Sequence, residues 1–449
     1  MSNLLDKKDF EVINTLSEDI LFYSPNSQLF PLKDPKIKEY MDVCIGLKEP
    51  EFSFLKSEEM IQVNKYLNIK FKESPQPNQI RNPIKTKLHL LILPISGKCN
   101  LQCTYCFARV DGKFSFNDLN TSEAKNIIDY LFKRLNLKEL EILFFGGEPF
   151  LKTEIMSFII NYINNNYEHK KIRYSVTTNG TILNNQILNI IKQNDISVLI
   201  SIDGPKENEN YRIFPNGKSS FTHSIKNIQK LKEEGIKIGL RGTITNTDLQ
   251  IVNIYKFFEN LEIPFKIVFA HKSENKDHNL ADFTLNLKSI NNQYNDLIKF
   301  YIGLISNSRK IHCLTIIEKL KFILLRTKIH HACSGGRAIF SITSSGYIYS
   351  CEHLAGIEKY SVGNIVEGID QNMLSQFQSI DVDKIDECQH CWVRYCCAGG
   401  CFADNISSTG NSLIHEKNKC ELIKAEYKFI IALYYEINKK FPKFFKLIN

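Results

Sequence analysis

Cys99, Cys103 and Cys106 stand in a C-x3-C-x2-C spacing directly after an aliphatic run. Three thiolates on one short loop can hold three corners of an iron–sulfur cube, which otherwise takes four cysteine ligands. The remaining iron then keeps an open coordination position, as a catalytic zinc does with three protein ligands and a water. Soft thiolates also suit zinc, so the loop by itself admits either metal. A second field lies far downstream, with Cys333, Cys351, Cys388-x2-Cys391-x5-Cys397-x3-Cys401 and Cys420. Taken alone, it fits a zinc ribbon on C-x2-C pairs as well as iron–sulfur ligation. Of 13 cysteines, only Cys44 precedes position 99, none lies between Cys106 and Cys313, and eight fall between Cys333 and Cys420. In a reducing compartment such clustering serves metals or catalysis rather than disulfides.

These residues sit in a chain of 449 residues with 43 % hydrophobic and 24 % charged positions. That composition excludes a disordered chain, a collagen-like fibre and a small disulfide scaffold. The longest apolar stretches, Leu90–Ile95 and Phe429–Tyr435, fall well short of the roughly 20 residues a bilayer span needs, so no membrane is expected. The polar Met1–Phe10 opening lacks a signal-peptide pattern, and a soluble, cytoplasmic protein is expected. The net charge of +8 is spread without a basic run or aromatic–basic interleaving. Nucleic acid is therefore not an expected partner, and an acidic peptide or protein suits the charge better.

The elements that must position the cysteines follow a strand–helix rhythm. Leu88–Leu93 reads as a strand buried on both faces, with His89 a core or strand-edge histidine. Ser122–Leu135 reads as a helix capped near Thr121, and Leu140–Phe145 as the next strand. Further strands are expected at Ile172–Thr177, Val198–Ile202, Ile236–Thr243 and Phe265–Phe269. The intervening helices are Ile155–Tyr167, Asn184–Gln193, Phe221–Glu234 and Leu249–Leu261. Six strands alternating with helices predict parallel βαβ units with chemistry in loops at the carboxyl ends of the strands. A helix-like segment around Ser57–Leu67, a linker over Lys72–Lys85, a helical stretch to about Arg326 and a packing helix over Glu421–Phe445 complete the outline. The domains are thus expected at 1–85, 86–310, 311–425 and 426–449.

Several strings fall in order at the expected strand ends: Gly146-Gly147-Glu148-Pro149, Thr178-Asn179-Gly180 and Ser201-Ile202-Asp203-Gly204-Pro205 with Tyr211-Arg212. Together with the three-cysteine loop, in which Tyr105 precedes the last cysteine, they resemble the radical S-adenosylmethionine (SAM) enzymes. The resemblance implies an α/β fold built on a partial (β/α)6 barrel. It also implies reductive cleavage of S-adenosylmethionine to a 5′-deoxyadenosyl radical. Cofactor contacts are implied for Tyr105, Gly146, Gly147, Glu148, Asn179, Ser201 and Arg212. Glu148 would answer the methionyl ammonium, and Ser201 and Arg212 the methionyl carboxylate.

The seven-cysteine field resembles the SPASM extension of such enzymes, which implies two auxiliary 4Fe–4S clusters and three clusters in all. By motif position Cys333, Cys351 and Cys401 would hold the first auxiliary cluster, and Cys388, Cys391, Cys397 and Cys420 the second. Seven thiolates are one short of eight, so either an iron stays open or a distant thiol such as Cys313 completes the first set. Cys396 and Cys44 are expected to be buried or free thiols.

The string Cys388-Gln389-His390-Cys391-Trp392-Val393-Arg394-Tyr395-Cys396-Cys397-Ala398-Gly399-Gly400-Cys401 is similar to that of maturases joining cysteine sulfur to peptide carbons. The segment Cys351-Glu352-His353 with Val362-Gly363-Asn364-Ile365 resembles the strand segment of those enzymes. Glu352 stands where anaerobic sulfatase-maturating enzymes place an aspartate base, and is the candidate catalytic carboxylate. The resemblance implies a peptide maturase that installs crosslinks, thioethers at cysteine, in a ribosomally made precursor. A flavodoxin or ferredoxin would supply electrons, and residues 1–85 have the size of a precursor-recognition domain. Alternative readings are formylglycine formation on a sulfatase, a carbon–carbon crosslink, and a zinc-stabilised peptide-binding module.

Overall fold

The computed structural model describes residues 10–23, 27–33, 38, 41, 78–80, 88–110, 113–206, 211–247, 249–270 and 280–448. The chain opens with an antiparallel sheet of β1 (Phe10–Asn14), β2 (Asp19–Tyr23) and β3 (Gln28–Pro31). Its inner face packs through Phe22 against Trp392, ring centroids 5.9 Å apart, from the downstream cysteine field. β4 (Asn78–Ile80) falls inside the stretch expected to be a linker, and pairs in parallel with β13 (Thr327–Ile329). Nothing local in its Asn-Gln-Ile sequence announces a strand, because that pairing partner lies about 250 positions away. The helix expected near 57–67 lies outside the described residues.

β5 (Leu90–Ser96) is the strand that launches the three-cysteine loop; Leu91, Ile92, Leu93 and Ile95 are all buried, which accounts for its aliphatic run. His89, just before it, is exposed and lies 3.3 Å from Arg173 at the sheet's lower edge. A small hairpin, β6 (Arg109–Val110) and β7 (Lys113–Phe114), follows the cysteines. Next come β8 (Glu139–Gly146), β9 (Lys171–Thr178), β10 (Ser197–Ser201), β11 (Ile238–Ile244) and β12 (Phe265–Phe269). These six strands pair in parallel in the sequential order β12-β11-β10-β9-β8-β5, with helices in the crossovers. All six carboxyl ends therefore open on one face, where loops can converge.

The expected helices are present with small shifts. Asn120, not Thr121, caps Thr121–Asp129 through a reciprocal capping box with Glu123, and the helix continues as one π turn over Tyr130–Arg134. Asn184 likewise caps Asn185–Gln193. The helical stretch before Arg326 is two helices, Leu287–Ser306 and Leu314–Leu324.

The alternation then ends, but the sheet does not. β14 (Ile339–Ile342) adds in parallel to β5, and β15 (Tyr347–Tyr349), β16 (Ser361–Asn364) and β17 (Gly368–Ile369) extend it antiparallel. One ten-stranded sheet thus carries both cysteine regions, and β14 covers an edge that β5 would otherwise expose. The helix Lys417–Lys440 closes the fold against Leu287–Ser306 and β1. It grips the first sheet through polar contacts: Tyr435 Oη and Lys439 Nζ each lie 2.7 Å from Glu18 Oε1, and Ser17 N donates to buried Glu436 at 2.8 Å. No helix among the described residues is long and apolar enough to cross a membrane.

Candidate active site

The glycine pair after β8 sets how closely the first cysteine loop approaches the sheet. A Cβ on Gly147 would fall on the Lys98 carbonyl, 2.5 Å from its carbon and 3.0 Å from Cys99 N. Without that atom, Gly147 N donates to Ser96 O at 2.7 Å and Glu148 N to Lys98 O at 2.8 Å, tying strand end to loop. Gly146, at φ +132°, has a conformation that side chains rarely adopt, and its absent Cβ would meet Ser96 N at 3.0 Å.

Glu148 is fully buried. Its carboxylate accepts from Thr178 Oγ1 at 2.8 Å, Asn179 N at 2.8 Å and Phe150 N at 3.0 Å, which joins the ends of β8 and β9. Burial pushes its pKa up, and the amide donors of Asn179 and Phe150 oppose the rise without cancelling it. Asn179 continues the chain of contacts: its Nδ2 donates to Asn100 Oδ1 at 2.9 Å and reaches Cys99 Sγ at 3.6 Å.

Tyr105, Asp203 and Arg212 form a buried polar triad. The Tyr105 hydroxyl donates to Asp203 Oδ2 and accepts from Arg212 Nη1 at 2.8 Å, while Thr243 N donates to Asp203 Oδ1 at 3.0 Å. The cysteine loop is further laced to the segment after β10, through Gln102 N to Ile213 O at 2.7 Å and Thr104 N to Tyr211 O at 3.2 Å. One cavity at the carboxyl ends of the strands is lined by Cys99, Cys103, Cys106, Tyr105, Gly146, Gly147, Asn179, Ser201 and Arg212. Arg241, Thr243, Val268 and Glu352 also line it.

Glu352 reaches the cavity because its segment docks on the cysteine loop. His353 stacks on Phe107 at 3.9 Å between ring centroids, and Ser115 Oγ donates to Ala355 O at 2.7 Å. Gly356, at φ +84°, makes this docking possible, since a Cβ there would lie 2.5 Å from the Ser115 carbonyl carbon.

The downstream cysteines separate into two groups by mutual electrostatic interaction. Cys351 feels Cys401 and Cys333, and Cys401 feels Cys333. Cys397 feels Cys420, Cys388 and Cys391. His415 packs on the second group, with Nε2 3.8 Å from Cys388 Sγ and donating to Gly399 O at 2.5 Å. Cys313 joins neither group: it is fully buried beside Glu259 and bridges to Phe265 at the amino end of β12, the face opposite the cavity. Cys396 is buried near Lys319 and Ser27, as a packed thiol, and Cys44 lies outside the described residues.

Cys99, Cys103 and Cys106 line one cavity, and three thiols so placed can hold an iron–sulfur cube. Among the described residues, no three cysteine sulfurs all lie within 4.8 Å of one another. A tetrahedral zinc with Zn–S of about 2.3 Å holds its sulfurs roughly 3.8 Å apart, whereas a cube spreads them over its corners. Burial raises the pKa of Cys99 and Cys106, and pushes Cys103 up to about 12 against the pull of Arg212. Such thiols become thiolates when a cationic centre replaces their protons. The residues present therefore fit an iron–sulfur cluster at Cys99, Cys103 and Cys106, beside a cavity with cationic and polar walls for an amino-acid-like ligand.

Sequence reasoning missed Asp203, Thr178, Arg241 and Thr243. The first two stand within strings singled out above, and the others carry no signal beyond their position at the end of β11. The Phe107–His353 stack was also invisible, because its partners lie 246 positions apart.

Comparison with known proteins agrees with this geometry. The model of the radical SAM superfamily matches residues 93–258, from β5 into the helix after β11. An uncharacterised protein of Methanocaldococcus jannaschii is 33 % identical over 280 residues, covering 61 % of this chain and 88 % of that protein. A cysteine-type anaerobic sulfatase-maturating enzyme of Clostridium novyi is 28 % identical over 340 residues, 70 % of this chain and 87 % of its own. The radical SAM cyclopropyl synthase TigE of Paramaledivibacter caminithermalis is 26 % identical, over 76 % of this chain and 74 % of its own. Among solved structures, native anSMEcpe with bound AdoMet superposes with a TM-score of 0.68 at 22 % identity, over 79 % of this chain and 100 % of that chain. Streptococcus suis SuiB bound to precursor peptide SuiA gives 0.51 at 17 % identity, over 90 % and 97 %. A zinc-held binding scaffold does not account for these matches. With its cysteine loop, strand-end strings and parallel half-barrel all in register, the chain belongs to the radical SAM superfamily and is an enzyme.

Proposed function

We propose that this enzyme crosslinks a ribosomally made precursor peptide, forming a thioether between a cysteine sulfur and a peptide carbon. What supports this reading is the mutual electrostatic interaction of Cys333, Cys351 and Cys401 beside Glu352, with Cys313 at the amino end of β12. A cluster held there by Cys333, Cys351 and Cys401 would leave one coordination position for a substrate thiolate. Residues 86–310 serve as the radical core, 311–425 as the auxiliary-cluster domain, 1–85 as a precursor-recognition domain and 426–449 as the closing helix. Three 4Fe–4S clusters are held in total, and a flavodoxin or ferredoxin reduces them.

When bound, S-adenosylmethionine and its cluster supply a 5′-deoxyadenosyl radical that takes one hydrogen atom from carbon, and an oxidised iron–sulfur centre takes the remaining electron. The chain positions these partners. Gly146 and Gly147 bring backbone against the cysteine loop, and Arg212, held by Tyr105 and Asp203, presents positive charge to a carboxylate. Ser201 and Asn179 offer polar atoms on the same wall. The Glu352 carboxylate accepts the proton of the substrate thiol, so the product is lighter by two hydrogens per bond and no oxygen is added.

Formylglycine formation is the second reading, favoured by the 28 % identity to a cysteine-type anaerobic sulfatase-maturating enzyme and by a carboxylate at Glu352. Mass spectrometry separates the two after anaerobic incubation with reductant, S-adenosylmethionine and cysteine-containing peptides. Loss of two hydrogens with sulfur retained supports the crosslink; replacement of sulfur by oxygen supports formylglycine. Glu352→Gln is expected to lower product formation about 100-fold while 5′-deoxyadenosine release continues. An unchanged product rate would remove Glu352 from the chemistry.

A further inference from the structure

We propose that His330, Asp381 and Asp383 bind a divalent cation of the zinc type, at a site separate from the sulfur centres. His330 Nδ1 lies 3.0 Å from Asp383 Oδ2 and 3.6 Å from Asp381 Oδ1. The three donor atoms all fall within 4.8 Å of one another. A second observation points the same way: His330 is only 2 % exposed, and neither of its ring nitrogens has a hydrogen-bond partner. A plain ion pair with an imidazolium would leave two buried N–H donors without hydrogen bonds, each costing free energy. Ligation through Nδ1 removes one of them, because that nitrogen then carries a metal instead of a proton.

The surroundings are built to hold this geometry. Val382 N donates to His330 O at 3.1 Å, and Asp383 N to Asp381 Oδ1 at 3.0 Å, fixing the turn against the end of β13. The Tyr395 hydroxyl bonds Asp383, and its ring lies 5.6 Å from the His330 ring. Arg337, which interacts electrostatically with Asp381, spends its hydrogen bonds on the carbonyls of Gln378 and Ile380. Asp383 is 38 % exposed on its side chain, which leaves an entry path and room for water as a further ligand. One imidazole with two carboxylates suits zinc or manganese, and two carboxylates balance a divalent charge.

The position gives the cation a structural task. His330 stands three residues before Cys333 of one thiol group, and Asp383 five residues before Cys388 of the other. Val382 and Ile385 pack directly with Cys388. A cation here pins together the two segments that present the auxiliary ligands.

The test uses the full-length, iron-reconstituted protein, equilibrated anaerobically with zinc and desalted. The expected result is about one zinc per chain, with only nitrogen and oxygen neighbours by X-ray absorption. Asp383→Asn should keep its iron and bind zinc at least about tenfold more weakly, and His330→Gln should lose the zinc. If His330→Gln does not fold, Asp383→Asn decides alone. Equal zinc in wild type and Asp383→Asn, no retained zinc, or a sulfur shell at about 2.3 Å would each overturn the proposal.

Discussion

Replacing Gly147 by alanine tests how the site is assembled, because its effect follows from one atom. The backbone there needs no left-handed conformation, so strain at Gly147 itself contributes nothing. The added methyl, however, would stand 2.5 Å from the Lys98 carbonyl carbon and 3.0 Å from Cys99 N, where ordinary contact begins near 3.4 Å. Restoring contact requires the Lys98–Cys99 backbone to retreat by roughly 1 Å, a misplacement that costs about 100-fold in rate at a reacting centre. The same retreat strains the 2.8 Å bond from Glu148 N to Lys98 O and shifts the first cluster ligand. The assay is 5′-deoxyadenosine release under strong reductant, read by chromatography alongside iron content. Gly303→Ala is the control, since a Cβ there meets nothing within 4 Å and the position is helical. It should leave activity intact and stabilise the fold by about 0.5–1 kcal/mol. Full activity and full iron in Gly147→Ala would refute the claim that close backbone approach positions the cysteine loop.

Tyr105→Phe removes both the donor to Asp203 and the 2.8 Å acceptor of Arg212, and should cost about 1–3 kcal/mol in urea unfolding; an unchanged midpoint would show that the triad is not a support. Cys397→Ser should lose about four irons per chain, whereas its neighbour Cys396→Ser should lose none, by colorimetric iron analysis. Glu436 is buried, which raises its pKa, but hydrogen bonds from Lys440 and Ser17 outweigh burial and hold it below 4.5. Its contribution is therefore complete above pH 4.5 and fades as pH falls through the lower folded value. Amide exchange at Ser17 should accelerate at least about tenfold in Glu436→Gln at neutral pH, and in wild type under acid; protection unchanged in both would count against the contact.

What the sequence determined by itself was everything carried by local spacing. The three-cysteine loop, the strand-end strings and the run of aliphatic strands were readable because period and spacing act over a few residues. Phe265–Phe269 has the same bounds in sequence and structure, and most helices differ by one or two positions at their capped ends. The tertiary structure alone decided what depends on distant segments. It brought β4 from a supposed linker to β13, joined β14 to β5 so that one sheet carries both cysteine regions, and set Glu352 on the wall of the radical cavity. It also buried Glu148 so that it binds the strand ends through three donors, and left Cys313 at the amino end of β12. The physical reason is that a side chain's type is inherited from the chain, whereas its neighbours are chosen by packing. Burial, hydrogen-bond partners and shared cavities therefore emerge only once sheet order and loop docking are fixed.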